Sequence, residues 1–173
     1  MGHSQKKILV FTLKDSCKVC YTCVRECPVK AIRINNGQAE VMSERCIACG
    51  NCVKVCSRGA KFFLDNKYEA IKLLEDNSNV IACIAPSFPA EFNEISDYRI
   101  LVSMIRKLGF AGVIEVGFAA DIISEKYLQM HNSNPESNYI SSDCPAIVNY
   151  IEQYYPELVS NLAPIVSPMV ASA

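Results

Sequence analysis

Eight of the ten cysteines in this 173-residue chain fall into two matching runs. Cys17-x2-Cys20-x2-Cys23-x3-Cys27-Pro28 is the first, and Cys46-x2-Cys49-x2-Cys52-x3-Cys56 is the second, offset by 29 residues. The x2, x2, x3 spacing is that of bacterial [4Fe–4S] ligation. Three thiolates on a tight loop cap three corners of one cubane. The fourth, after a short helical turn, points the other way and reaches the second cluster. Cys17, Cys20, Cys23 and Cys56 are therefore expected around one cluster, and Cys46, Cys49, Cys52 and Cys27 around the other. Zinc sites use four Cys/His ligands, usually as separated pairs, which explains two such runs poorly. Pro28 follows the first run and Ser57 the second; the lost proline supplies no ligand, so ligation is expected to survive it.

The elements that must position these cysteines are short. Ile32-Arg33-Ile34 and Ala39-Glu40-Val41 alternate around Asn35-Asn36-Gly37, and Asn-Gly is a strong hairpin turn signal. Residues 7–13 and Lys61-Phe62-Phe63-Leu64 supply a second strand pair. Two small sheets and two short helices over two clusters form the expected bacterial-type di-cluster ferredoxin domain, residues 1–75. The clusters replace a core that about 65 residues could hardly build alone.

Composition narrows the class. No apolar run approaches the roughly 18 residues needed to cross a bilayer, and the N-terminus has no small-residue cleavage site. Cysteine density without a secretory signal indicates metal or redox chemistry in a reducing cytoplasm, not a disulfide framework. Residues 1–76 carry 13 Lys+Arg against 8 Asp+Glu, a net +5, while residues 77–173 carry 4 against 10. The basic half does not argue nucleic acid, because its cations are interleaved with the cysteines. A [4Fe–4S]2+ core on four thiolates carries about −2, so two of them bring the +5 close to neutral. Lys18, Arg25, Lys30, Arg45, Lys54 and Arg58 offset the charge that reduction adds.

The second half reads differently. Residues 66–75 form an amphipathic connecting helix with Asp65 as its cap. A strand over 80–85 is followed by a helix over about 97–108, with Ile100, Leu101, Met104, Ile105 and Leu108 on one stripe and Gly109 as its stop. A strand over 112–116, a helix over 119–130, a loop over 131–138, a short strand over 139–142 and a helix opened by Pro145 with Ile147, Val148 and Ile151 buried complete the alternation. That order argues a parallel sheet with helices on its faces, so the whole is α+β. Cys83 reads as a buried small hydrophobe. Asp143 reads either as a cap for the helix at Pro145 or as a functional carboxylate. No charged residue follows Glu157, and the apolar end suggests a truncated domain or a tail buried on a partner.

The di-cluster module followed by Ala85-Pro86-Ser87, Leu108-Gly109-Phe110, Ala119-Ala120-Asp121, Ser141-Ser142-Asp143-Cys144-Pro145-Ala146, Tyr154-Tyr155-Pro156-Glu157-Leu158 and Ser167-Pro168-Met169 resembles iron-only ([FeFe]) hydrogenases, most of all their sensory, multi-domain branch. The resemblance implies that residues 76–173 are the N-terminal part of an α/β catalytic domain. It implies that Cys144 is the first of four ligands of the catalytic cubane, and that Pro86 and Ser87 line the di-iron pocket. Asp143 stands where the family's Thr-Ser-Cys-Cys-Pro motif has a proton-relaying cysteine. The family's later cluster-binding segments would follow Ala173, so a complete H-cluster is expected only in a longer parent chain.

The combined expectation is an electron-transfer protein of hydrogenase type. Two [4Fe–4S] clusters relay electrons between a redox partner such as a ferredoxin and a hydrogenase-like domain incomplete here. The class is hydrogen:ferredoxin oxidoreductase chemistry, with this chain alone not catalytic, in the cytoplasm of an anaerobe. No nucleic acid and no membrane is expected as a partner; downstream hydrogenase or sensor domains are. The alternatives are a redox-switched sensory or partner-binding module and a simple ferredoxin-like carrier.

Overall fold

A computed structural model describes residues 9–76 and 79–173. Residues 7 and 8 of the expected first strand lie outside the described residues. In chain order the elements are β1 (Val10–Thr12), α1 (Thr22–Arg25), β2 (Ile32–Asn35), β3 (Gln38–Val41), α2 (Asn51–Lys54), β4 (Lys61–Phe63), α3 (Lys67–Asp76) and β5 (Ile81–Ile84). There follow α4 (Phe88–Glu91), α5 (Tyr98–Lys107), β6 (Gly112–Glu115), α6 (Val116–Ser133), α7 (Pro145–Tyr154), a 3-10 helix (Pro156–Asn161) and α8 (Pro168–Ser172). Helix and strand are mixed, with two antiparallel pairs and one small parallel sheet. The chain divides into two compact units: the described part of Met1–Asp65 with Pro145–Ser160, and Asn66–Cys144 with Asn161–Ala173.

In the first unit β2 and β3 pair antiparallel, Asn35 opposite Gln38. The two residues between them, Asn36 and Gly37, both have positive φ, 48° and 70°, as a two-residue hairpin turn of this hand requires. β1 pairs with β4, Thr12 opposite Lys61. The duplication seen in the cysteine spacing is also a duplication of backbone. Val19, Tyr21 and Lys30 have φ of 52°, 62° and 50°, and 29 residues on, Ala48, Gly50 and Gly59 have 60°, 77° and 60°. These left-handed residues turn each cysteine loop tightly enough for successive thiols to face inward. Outside glycine the conformation is uncommon, and for a β-branched residue such as Val19 it is an outlier. Of the six positions, residue type points to the conformation only at the two glycines.

The core of this unit is built from small residues: Cys27, Val29, Ala31, Ile32, Ala39 and Ile47 are buried together. Tyr150 and Tyr154 of α7 pack against that cluster. Tyr154 fixes the helix by donating its hydroxyl to the Arg45 carbonyl at 2.8 Å. Ile151 of α7 is buried, but Ile147, expected beside it, is exposed.

In the second unit β5 and β6 run parallel, Ile81 opposite Gly112 and Ile84 opposite Glu115. Asp97 caps α5, its carboxylate accepting the Arg99 amide at 3.0 Å, and Gly109 ends the turn after it at φ 109°. α6 begins directly after β6 and runs to Ser133, so His131 lies in its last turn and not in a loop. The expected third strand does not join the sheet. Ile140 instead makes a single parallel bridge with Leu162. The Ser142 hydroxyl lies 2.9 and 2.5 Å from the carbonyls of Ala163 and Ile165. The tail offers hydrogen-bond partners that a short Ser-rich segment satisfies without a sheet edge. Two strands make a narrow platform, and this is why the α5 stripe is not buried as a whole. Leu101 is buried, whereas Ile100, Met104 and Leu108 are exposed. Cys83, on β5, is exposed as well, which overturns its reading as a buried hydrophobe.

Gly50 combines a φ of 77° with a position where a Cβ would sit 2.8 Å from the Phe63 ring. Gly50→Ala is expected to lower stability by about 1–2 kcal/mol from the left-handed backbone alone, read as a shifted denaturation midpoint with cluster absorbance as probe. Tyr154→Phe should cost about 1 kcal/mol, one net hydrogen bond, in the same measurement.

Candidate metal centre

The eight cysteines of the two runs line two cavities. Cys17, Cys20, Cys23 and Cys56 surround one. Cys27, Cys46, Cys49 and Cys52 surround the other. Each ring thus takes three thiols from one loop and its fourth from the other run. The crossing is made by α1 and α2: each short helix carries the chain from the third cysteine of its run toward the fourth, and the two helices pack against one another. Among the described residues no group of three or more His, Cys, Asp or Glu converges as it would around a single ion. The thiols ring spaces, not points. That donor set fits a soft iron–sulfur cubane with its sulfurs at the corners, and it fits a lone zinc ion poorly.

Backbone amides complete the rings. The Ala31 amide donates to Cys27 Sγ at 3.2 Å, and its counterpart Ala60 donates to Cys56 Sγ at 3.3 Å. The Ala48 amide donates to Cys46 Sγ at 3.4 Å. Hydrogen bonds to ligand sulfur stabilise negative charge there. The thiols feel distinct surroundings. Burial pushes Cys52 up to about 11, with Lys61 pulling the other way. Burial also raises Cys23, again against Lys61. Cys20 is lowered by the Thr22 hydroxyl, then by the Thr22 amide. At Cys56 burial is the largest single influence and acts upward, but the amides of Lys61, Ala60 and Arg58 together outweigh it.

The residues singled out in the second unit are placed without such convergence. Pro86 and Ser87 are exposed ahead of α4, and Cys144 is exposed ahead of α7. Asp143 is exposed too, its carboxylate 3.4 Å from the Tyr127 hydroxyl. Tyr127, unremarked in the sequence, organises this segment: its hydroxyl also lies 3.2 Å from Ser141 Oγ and accepts the Ser142 amide at 3.2 Å. Sequence reasoning missed Lys61 as well. It is 4% exposed, and its Nζ donates to Thr12 Oγ1 at 2.5 Å and to the Ala39 carbonyl at 3.2 Å. The signal that could have found it is a lysine occupying the position where the repeat has Ile32.

Two family models match the chain. The iron only hydrogenase large subunit, C-terminal domain, matches residues 78–173, and the 4Fe-4S dicluster domain matches residues 9–57, a span holding all eight cysteines of the runs. The NADP-reducing hydrogenase subunit HndD of Solidesulfovibrio fructosivorans is 26% identical over 92% of this chain and 33% of its own length. Iron hydrogenase 1 of Clostridium pasteurianum is 29% identical over 66% of this chain and 21% of its own. A component of the ion-translocating oxidoreductase complex of Methanosarcina acetivorans is 38% identical over 34% of this chain and 22% of its own. The chain spans a third or less of the length of these relatives. Its cofactors are iron–sulfur clusters. No helix among the described residues is long and apolar enough to cross a membrane.

Iron binds thiolate, and Cys52 and Cys23 hold their protons above the ordinary thiol range, so loading at neutral pH must displace them. For the proton on Cys52, pushed up to about 11, the affinity of the apoprotein for iron should therefore rise with pH below that value by about tenfold per unit. Proton release on anaerobic loading, followed with an indicator dye, checks this; loading independent of pH between about 7 and 9 contradicts it.

Proposed function

Because the chain belongs to the family of the iron-only hydrogenase large subunit, C-terminal domain, we propose that its residues 1–75 relay single electrons to and from a hydrogenase-type domain whose opening segment is residues 76–173. Each cluster, when bound, supplies one reversible one-electron couple. The observation that carries the reading is the pair of cavities, each ringed by four cysteines drawn from both runs. Cys17, Cys20, Cys23 and Cys56 hold one cluster; Cys46, Cys49, Cys52 and Cys27 hold the other. The amides of Ala31 and Ala60 steady the two crossing ligands.

In the second segment Cys144 would be a ligand of a catalytic cubane, and Pro86 and Ser87 would border the same site. Asp143, whose carboxylate accepts the Tyr127 hydroxyl at 3.4 Å, would hold a proton beside that site. The electron partner is a soluble redox protein of the ferredoxin kind, and the setting is a reducing cytoplasm. The departure at Asp143 favours the sensory branch of the family, in which hydrogen is detected more than turned over.

Anaerobic reconstitution is expected to give about eight iron and eight sulfide per chain, with two interacting reduced [4Fe–4S] signals in EPR. Four or fewer iron with stoichiometric zinc would remove the electron-transfer reading. The crossed ligation has its own test. Cys27→Ala with Cys49→Ala removes two ligands of one cluster and should leave about four iron; Cys27→Ala with Cys20→Ala strikes both clusters and should leave almost none. Equal iron loss in the two pairs would remove the crossed assignment.

A further inference from the structure

The offset of 29 residues makes each cavity the control for the other. Position by position the walls match in shape but not in charge. Lys61 in the wall of the first cavity corresponds to Ile32 in the second, and Thr12 corresponds to Val41. Lys18 and Arg58 likewise line the first where Ile47 and Val29 line the second. Three cations in one half of the repeat thus stand where the other half has aliphatic side chains.

Lys61 dominates this difference. Arg58 and Lys18 are both exposed, so solvent and salt screen them more than Lys61. Exposed Arg45, whose guanidinium reaches the Val29 carbonyl at 3.3 Å, partly offsets them from the other side. Lys61 is the buried charged residue among the described residues, held by Thr12 Oγ1 and the Ala39 carbonyl, and all three line the first cavity. Both partners are neutral, and a desolvated ammonium with neutral partners is costly unless an anion lies beside it. A cluster on four thiolates is that anion, and it becomes more negative on reduction. Its attraction for Lys61 is then largest in the reduced state, which raises its affinity for an electron. The lysine also bears on Cys52 of the second cavity, but it forms no part of that wall.

We propose that Lys61 makes the first cavity the electron-holding one: in the singly reduced chain the electron resides on the cluster held by Cys17, Cys20, Cys23 and Cys56. The step is the addition of one electron from a low-potential one-electron donor, with no bond made or broken and no proton taken up. This inference rests on the two-cluster reading above. Iron is therefore counted first: a content well below eight per chain overturns that reading and this one together, whereas eight leaves this one to be judged alone.

The experiment uses the full chain, reconstituted and titrated anaerobically with dithionite. At half reduction the hyperfine-shifted β-CH2 resonances, assigned to each cysteine, should show the reduced pattern on Cys17, Cys20, Cys23 and Cys56. The reduced pattern on Cys27, Cys46, Cys49 and Cys52, or spread evenly over both sets, overturns the proposal without any variant. Lys61→Met should shift the electron partition at least tenfold toward the second cluster, about 59 mV for one electron, in an EPR-monitored potentiometric titration. Lys61→Arg, which keeps the charge, should retain the native partition. Equal displacement of both reduction steps by Lys61→Met, or none, also overturns it.

Discussion

Eight thiols must be brought to the surfaces of two small cavities by a unit with little other interior. The rest of the first unit follows from that demand. The loops need left-handed residues at Val19, Tyr21, Ala48 and Gly50 to turn the thiols inward. The helices α1 and α2 are one turn long because they need only carry the chain from the third cysteine of a run toward the fourth, which faces the other cavity. Ala31, Ala39 and Ala60 are among the most deeply buried residues of the unit, and larger side chains at Ala31 and Ala60 would enter the cavities they line. A core of this kind has little hydrophobic surplus, and metal binding contributes the folding free energy that side-chain burial does not.

The crossed lining of the two cavities has a mechanical consequence. Each run contributes to both rings, so neither half of the repeat can form its site without the other. The strand pairs enforce the same dependence: β1 reaches across the repeat to β4, while β2 and β3 join the two runs. α7 then covers the core with Tyr150 and Tyr154, although it lies far along the chain from the first unit's strands. The ring pair Tyr150–Tyr155, at 5.3 Å between centroids, steadies the end of that helix.

The second unit is governed by a different shortage. Two parallel strands cannot cover the apolar faces of α5 and α6, and Leu108, Phe118 and Ile122 remain 60–70% exposed. Electrostatics divides the units in the same way. The first holds a buried cation against neutral partners, whereas the second places its carboxylates, Asp97 and Asp143 among them, on the surface, where local donors satisfy them.

Cysteine spacing, the Asn36-Gly37 turn and the Asp97 and Gly109 punctuation of α5 were legible in the sequence because each depends on local chemistry: ligand geometry, positive φ, a capping carboxylate. The two groups of four cysteines could be written down from the repeat alone. Three things could not. The left-handed backbone at Val19 and Tyr21 is imposed by the loop and contradicts residue preference. The pairing of Ile140 with Leu162 depends on which backbone partners reach it in space, and an apolar stretch does not reveal that. Lys61 looks in sequence like any surface lysine at the start of a strand; only the packing of β4 against β1 buries its ammonium beside Thr12 and Ala39. Local chemistry determined where ligands stand along the chain, and tertiary structure decided which charges face them, because burial and long-range contact are properties of the assembled fold and not of residue order.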